Sequence, residues 1–144
     1  MSASIGDQRQ PQPAIYVTEP DHEQLERLVG TTSRPSPGAA LLRAELDRAV
    51  VLGAEAAPGH FVRPGSLVRF LQGDAEDVRT VRVVLPSAAD IDQGHISVLT
   101  PVGAALLGLQ EGQRFRWRNP DGRAFSVEVL AIEPFAGAPD PELV

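Results

Sequence analysis

Residues 86–122 read "PSAADIDQGHISVLTPVGAALLGLQEGQRFRWRNPDG", and the fold class follows from them. Thr100 has the side-chain oxygen of a good N-cap, and Pro101 suits the first helical position, where its missing N–H costs nothing. Val102 to Leu107 are apolar and helix-tolerant, and Gly108 can take the left-handed conformation that ends a helix. The spacing predicts one short apolar helix of one to two turns. Such a helix must be buried, and the strands on either side are the surface available to it. Upstream, His95 to Leu99 reads as a short strand with Ile96 and Val98 opposite Ser97. Downstream, Gln113 to Arg118 alternates strictly, with Phe115 and Trp117 inward and Arg114, Arg116 and Arg118 outward. "NPDG" is a tight turn, and Phe125, Val127 and Val129 return along the next strand. The segment holds no set of nucleophile, base and metal ligands. It describes a compact interaction domain rather than an active site.

Toward the N-terminus the strand pattern continues. Arg79 to Leu85 alternates, with Val81, Val83 and Leu85 on one face and Thr80 and Arg82 on the other. "QGDAED" is a loop, Ser66 to Leu71 a strand, and Ala57 to Gly65 a Gly/Pro-rich hinge. Before the hinge the period becomes helical. Thr18 is an N-cap with Pro20 in the first turn and Asp21 three residues on, close to a capping box. Leu25, Leu28 and Val29 form a narrow apolar stripe, and Gly30 ends the helix. After the turn-rich "GTTSRPSPG" at 30–38, a second helix runs from about Pro37 to Leu52. Its apolar face is Leu42, Leu46, Ala49 and Val50, and Arg43 and Asp47 form an i,i+4 pair. The two helices form a stubby antiparallel hairpin whose seam, Leu25, Leu28, Leu42 and Leu46, is expected to be a core of its own. Ile15 to Val17 pack or pair briefly. The predicted class is α+β: a tail at 1–14, a helical hairpin at 15–56, an antiparallel sheet domain with one packed helix at 57–135, and a tail at 136–144.

Composition narrows the function. At 144 residues with 42% apolar, the chain can bury a core, and no apolar run approaches the ~20 residues of a membrane span. The first 17 residues lack the apolar stretch of a secretory signal, so a cytoplasmic location is expected. With no cysteine there is no disulfide, thiol chemistry or Cys-based zinc site. A formal charge of −6 disfavours general nucleic-acid coating. All 13 cationic side chains are Arg, which reads as coding bias.

His22, His60 and His95 lie on three separate elements without metal-site spacing, so no metal and no cofactor is expected. Asp74, Glu76 and Asp77 crowd a loop but lack the Gly and distal Glu of a calcium loop. Asp90 and Asp92 precede Gly94, and Asp90 is placed to bond its own turn backbone. The arginines at 114, 116 and 118 alternate away from the aromatics, so bases could not stack beside that charge, and nucleic-acid binding is weak or absent. No glycine-framed nucleophile turn or phosphate loop is present. The chain does not read as an enzyme.

"AELDRA" at 44–49, "ISVLTPVGAALLGLQEGQ" at 96–113 and "WRNPDG" through "VEVL" at 117–130 together resemble the Rnk family, the regulators of nucleoside diphosphate kinase. That family is related to the Gre transcript-cleavage factors, whose C-terminal domain has a similar "IS…SP…ALLG…G" run. The likeness spans most of residues 15–133 with order and spacing intact. It implies an N-terminal antiparallel coiled coil, an FKBP-like C-terminal domain and binding to RNA polymerase at the rim of the secondary channel. Thr100 and Pro101 match the Ser-Pro position that Gre domains present to that rim, so the implied docking edge is Leu99, Thr100, Pro101 and Val102, with Asp90 beside it.

One departure from the Gre factors bears on activity. Those proteins carry acidic residues at the tip of a long coiled coil, where they help to hold a catalytic magnesium ion. Here the tip "GTTSRPSPG" has no carboxylate, and a helix of about 11 residues reaches only ~16 Å. The resemblance therefore implies a monomeric polymerase-binding regulator that does not stimulate transcript cleavage and competes with Gre factors. A second class, peptidyl-prolyl isomerase, shares the implied fold, but Phe115, Trp117 and Phe125 alternate like core residues rather than lining a cleft.

Overall fold

The computed structural model describes residues 14–32, 36–53, 61–73, 77–118 and 121–133. Residues 1–13 of the expected first tail, the expected tail at 136–144, residues 33–35 of the hairpin turn, residues 57–60 of the hinge with His60 among them, Asp74, Glu76, and Asn119 and Pro120 lie outside the described residues.

The chain begins with strand β1 (Tyr16–Thr18), followed by helix α1 (Glu19–Thr31). Thr18 caps α1 as expected, its hydroxyl accepting from the Asp21 N–H at 3.2 Å. The Asp21 carboxylate does not close a capping box; it accepts from Arg63 Nε at 3.0 Å. Gly30 does not end the helix. It is helical itself, and the turn closes at Thr31 and Thr32, whose hydroxyls both donate to the Leu28 carbonyl.

Helix α2 (Pro37–Arg48) starts at Ser36, whose hydroxyl accepts from the Ala39 N–H at 3.1 Å. It stops four residues earlier than expected. Val50–Leu52 is strand β2, parallel to β1, and the Val50 N–H donates to the Ile15 carbonyl at 2.9 Å. The run of β-branched valines favours the extended state once a partner strand is present. Val50, expected on the apolar helix face, is exposed in that strand. Arg43 does not pair with Asp47 either: it reaches across the hairpin to Glu26 at 3.6 Å.

Strands β3 (Leu67–Gln72), β4 (Asp77–Val84), β5 (His95–Ser97), β6 (Arg114–Arg118) and β7 (Ala124–Glu133) form one sheet in the order β5-β4-β3-β7-β6. Asp77, assigned from sequence to a loop, opens β4. The sheet is mixed rather than wholly antiparallel, because β5 runs parallel to β4, with Val83 paired to Ile96. The connection between them contains two 3-10 turns, Pro86–Ala88 and Ile91–Gln93, and is long enough to bring the chain back in the same direction. Helix α3 (Pro101–Leu106) packs on the sheet with Ala104 to Leu107 buried. Gly108 follows it with φ +84°, and a Cβ there would meet Ile15 at 2.6 Å. Its carbonyl accepts from the Tyr16 N–H, and its own N–H donates to the Val62 carbonyl. The α3 exit therefore joins the N-terminal strand to the segment after the hinge.

Two further expectations change here. The hairpin seam is not a core of its own: Leu25, Leu42 and Leu46 belong to one cluster with Val68, Phe70, Val83, Leu106 and Phe115 of the sheet domain. The hinge is not all hinge, since Phe61 and Val62 are buried and Val62 pairs its backbone with Leu109. On β6, Phe115 is buried as expected, whereas Trp117 is half-buried and stacks on Phe125 with ring centroids 5.5 Å apart.

Candidate functional site

The corner between β5 and α3 is built by backbone-directed side chains. The Ser97 hydroxyl accepts from the Leu99 N–H at 2.9 Å. The Thr100 hydroxyl donates to the Ser97 carbonyl at 2.7 Å and accepts from the Gly103 N–H at 3.1 Å. Thr100 thus serves as the cap with its donor and one acceptor position in use, although the residue itself is exposed. Pro101 follows at the first helical position, half-buried. Leu99 packs against the core, and its carbonyl lies against Gly38 at the start of α2, where any Cβ would clash. The hairpin is seated directly on this corner.

Asp90 organises the turn beside it. Its carboxylate accepts from the Asp92 N–H at 3.1 Å and from Gln93 Nε2 at 3.0 Å, and its backbone pairs with His95. This Asx-type turn, closed by Gly94 at φ +76°, holds Ile91 outward with 83% of its surface exposed. Ile91 thereby borders an apolar hollow.

The hollow has a simple origin. Helix α3 has six residues and covers about 9 Å of sheet, whereas β3 and β4 extend roughly 20 to 26 Å. The uncovered remainder is a cleft of about 280 Å³ lined by Phe70, Val81, Ile96, Val102, Ile91 and Ala89, with Arg79, His95, Ser97 and Thr100 at its polar positions. Of the five residues expected at a docking edge, Thr100 and Val102 line this cleft, and Asp90 shapes the turn that carries Ile91. Leu99 packs against the core and Pro101 opens α3, and neither lines the cleft. Sequence reasoning missed Ile91, Phe70, Arg79, Val81 and His95. Ile91 did carry a signal, an apolar residue framed by Asp90 and Asp92 in a turn. Phe70 and Arg79 become neighbours only through the β3–β4 register, which pairs them directly.

Elsewhere, Glu45 of α2 is buried, and burial pushes its carboxyl up from 4.5 to about 8; Arg48, with Nη2 3.6 Å away, opposes that rise. The Arg48 guanidinium also lies over the Phe115 ring at 5.7 Å. His22 approaches Glu26 at 3.5 Å within α1. Arg114 pairs with Glu128 at 2.7 Å across the β6–β7 ladder.

Comparison with known proteins places this architecture. Residues 57–134 match the family described as transcription elongation factor, GreA/GreB, C-term, and residues 13–52 match the family described as Rnk N-terminus. The regulator of nucleoside diphosphate kinase from Escherichia coli (strain K12) is 36% identical over 122 residues, covering 84% of this chain and 90% of that protein. The chain belongs to the Rnk family. Its Rnk-type architecture, a helical hairpin followed by a sheet domain of GreA/GreB C-terminal type, also matches a solved structure described as prokaryotic transcription elongation factor GreA/GreB from Nitrosomonas europaea. That match has a TM-score of 0.64 and 36% identity over 84% of this chain and 98% of that one. Transcription elongation factor GreA from Thermodesulfovibrio yellowstonii is 33% identical over 91 residues, spanning 57% of its own length. These relatives are named as a regulator and as elongation factors, not as enzymes. Among the described residues no helix of this Rnk-family chain is long and apolar enough to cross a membrane.

Proposed function

We propose that this chain regulates transcription by binding RNA polymerase at the rim of the secondary channel, without stimulating transcript cleavage. The observation that carries the reading is the 36% identity to the Escherichia coli regulator over nearly the whole chain, together with the GreA/GreB-type domain at 57–134. The docking surface is the β5–α3 corner with Leu99, Thr100, Pro101, Val102 and Asp90, enlarged by Ile91 and the cleft. Because the Thr100 hydroxyl is already engaged on both sides, the ring of Pro101 and the side chain of Ile91 make the contacts. Helices α1 and α2, with 13 and 12 residues, reach only about 18 to 20 Å. Residues 30–38 contain no Asp or Glu, so the tip brings no carboxylate to a magnesium ion.

The protein acts in the cytoplasm as a monomer, occupies the site that Gre factors use, and affects nucleoside diphosphate kinase as the name of its relative states. A prolyl-isomerase role has little support, since among the described residues Phe70 is the one aromatic lining the cleft and Phe115, Trp117 and Phe125 form a separate stack. Purified chain and polymerase test the proposal. Saturable binding, weakened on the order of tenfold by Pro101→Ala at unchanged Tm, is expected, with cleavage of backtracked transcripts staying at the polymerase's own background. Cleavage above that background would contradict it.

A further inference from the structure

The charge of the cleft identifies the chemistry of what fills it. Its floor and walls are apolar, from Phe70, Val81, Ile96, Val102 and Ile91. Two of its polar positions are internally committed, because the Ser97 and Thr100 hydroxyls are bonded to backbone. The other two are Arg79 and His95, and among the described residues no carboxylate lines the cleft. In a chain with 19 acidic and 13 basic side chains, that is a local reversal of sign.

Arg79 is exposed and projects from the same sheet face as Phe70, its direct partner across β3 and β4. Its Nη1 donates to the neutral Gln72 Oε1 at 3.0 Å, and it forms no ion pair among the described residues. A guanidinium has five donors in a planar fork, so most of that fork remains available for a carboxylate approaching over the cleft.

We propose that the segment of RNA polymerase docking here presents an apolar side chain that fills the cleft, flanked by an Asp or Glu whose carboxylate pairs with Arg79. This inference rests on the polymerase-docking reading. The apolar anchor supplies burial, and the ion pair sets its register, as charges at the edge of an apolar contact do. A basic segment would meet Arg79 with like charge. A phosphate backbone would leave the apolar cleft unfilled and would approach Asp92, exposed beside Ile91.

Three substitutions in the full chain test it by equilibrium binding to purified polymerase at several salt concentrations. Arg79→Glu should weaken binding by tenfold or more and flatten the salt dependence, at unchanged Tm. Arg69→Glu makes the same change in net charge from the adjacent position on β3, where Arg69 is exposed on the opposite face, and should bind like the parent. Ile91→Asp should weaken binding whatever the salt. If Ile91→Asp weakens binding but Arg79→Glu does not, the acidic flank is wrong while the docking reading stands. If Arg79→Glu and Arg69→Glu weaken binding equally, the effect is one of net charge and the inference is overturned. If the parent chain does not bind polymerase at all, the functional reading falls and takes this inference with it.

Discussion

Glu45 is the residue most at odds with its surroundings. Its side chain is 1% exposed, neither carboxylate oxygen has a hydrogen-bond partner among the described residues, and the Arg48 guanidinium stands off at 3.6 Å. Burial disfavours the charged form more than Arg48 favours it, so the group titrates near 8 rather than 4.5. Between those values the folded chain holds a proton that the unfolded chain has released. Stability therefore falls as pH rises from about 4.5 to about 8 and no longer depends on this group above that. The slope is at most about 1.4 kcal/mol per pH unit. Glu45→Gln removes it: in urea titrations at pH 5 and pH 8, the variant should gain on the parent by a few kcal/mol at the higher pH. A constant difference between the two pH values would contradict the assignment. Two glycines give an opposed pair at the same scale. Gly38→Ala pushes a methyl into the Leu99 backbone and should cost about 1–3 kcal/mol, whereas Gly30→Ala meets nothing within 4 Å in a helix and should stabilise by up to about 1 kcal/mol. Thermal unfolding of both variants checks the sign of each.

At the scale of elements, what the sequence disclosed depended on whether the signal was local. The ends of α3 were legible because Thr100, Pro101 and Gly108 each act within one turn. The Thr18 cap was legible for the same reason. The end of α2 was not, because Val50–Leu52 becomes a strand only when Tyr16–Thr18, some thirty residues earlier, lies beside it. The same holds for Arg43, whose partner Glu26 is on the other helix. The shared core was hidden most completely, since the leucine stripe of the hairpin fits a self-contained seam as well as a helix pair packed on a sheet. Leu46 is the point at which those two arrangements differ. Because it belongs to the common cluster, Leu46→Ala should cost about 2–5 kcal/mol and lower one cooperative transition for the whole chain. Hydrogen exchange would show protection lost together in 37–48 and 67–84; loss confined to the hairpin would mean that the helices fold separately.

For the whole molecule, the corner proposed for docking was legible in part. Thr100, Val102 and Asp90 could be found from capping and turn chemistry, which is written in adjacent residues. The cleft could not, because it exists by default: a six-residue helix leaves part of a longer sheet uncovered, and only the strand register shows which side chains are left there. The resulting molecule has a sheet domain with a cleft and exposed Ile91 at one corner, and a short hairpin seated on that same corner through Gly38. On this account the chain is a Gre-type domain that occupies a polymerase site without carrying catalytic acids into it. Competition measures that claim most directly: labelled GreA bound to RNA polymerase, titrated with the full chain. The account predicts complete displacement, with an apparent GreA affinity that falls in proportion to added chain and transcript cleavage that declines in step. Simultaneous occupancy, with GreA binding and cleavage unchanged at saturating chain, would contradict it.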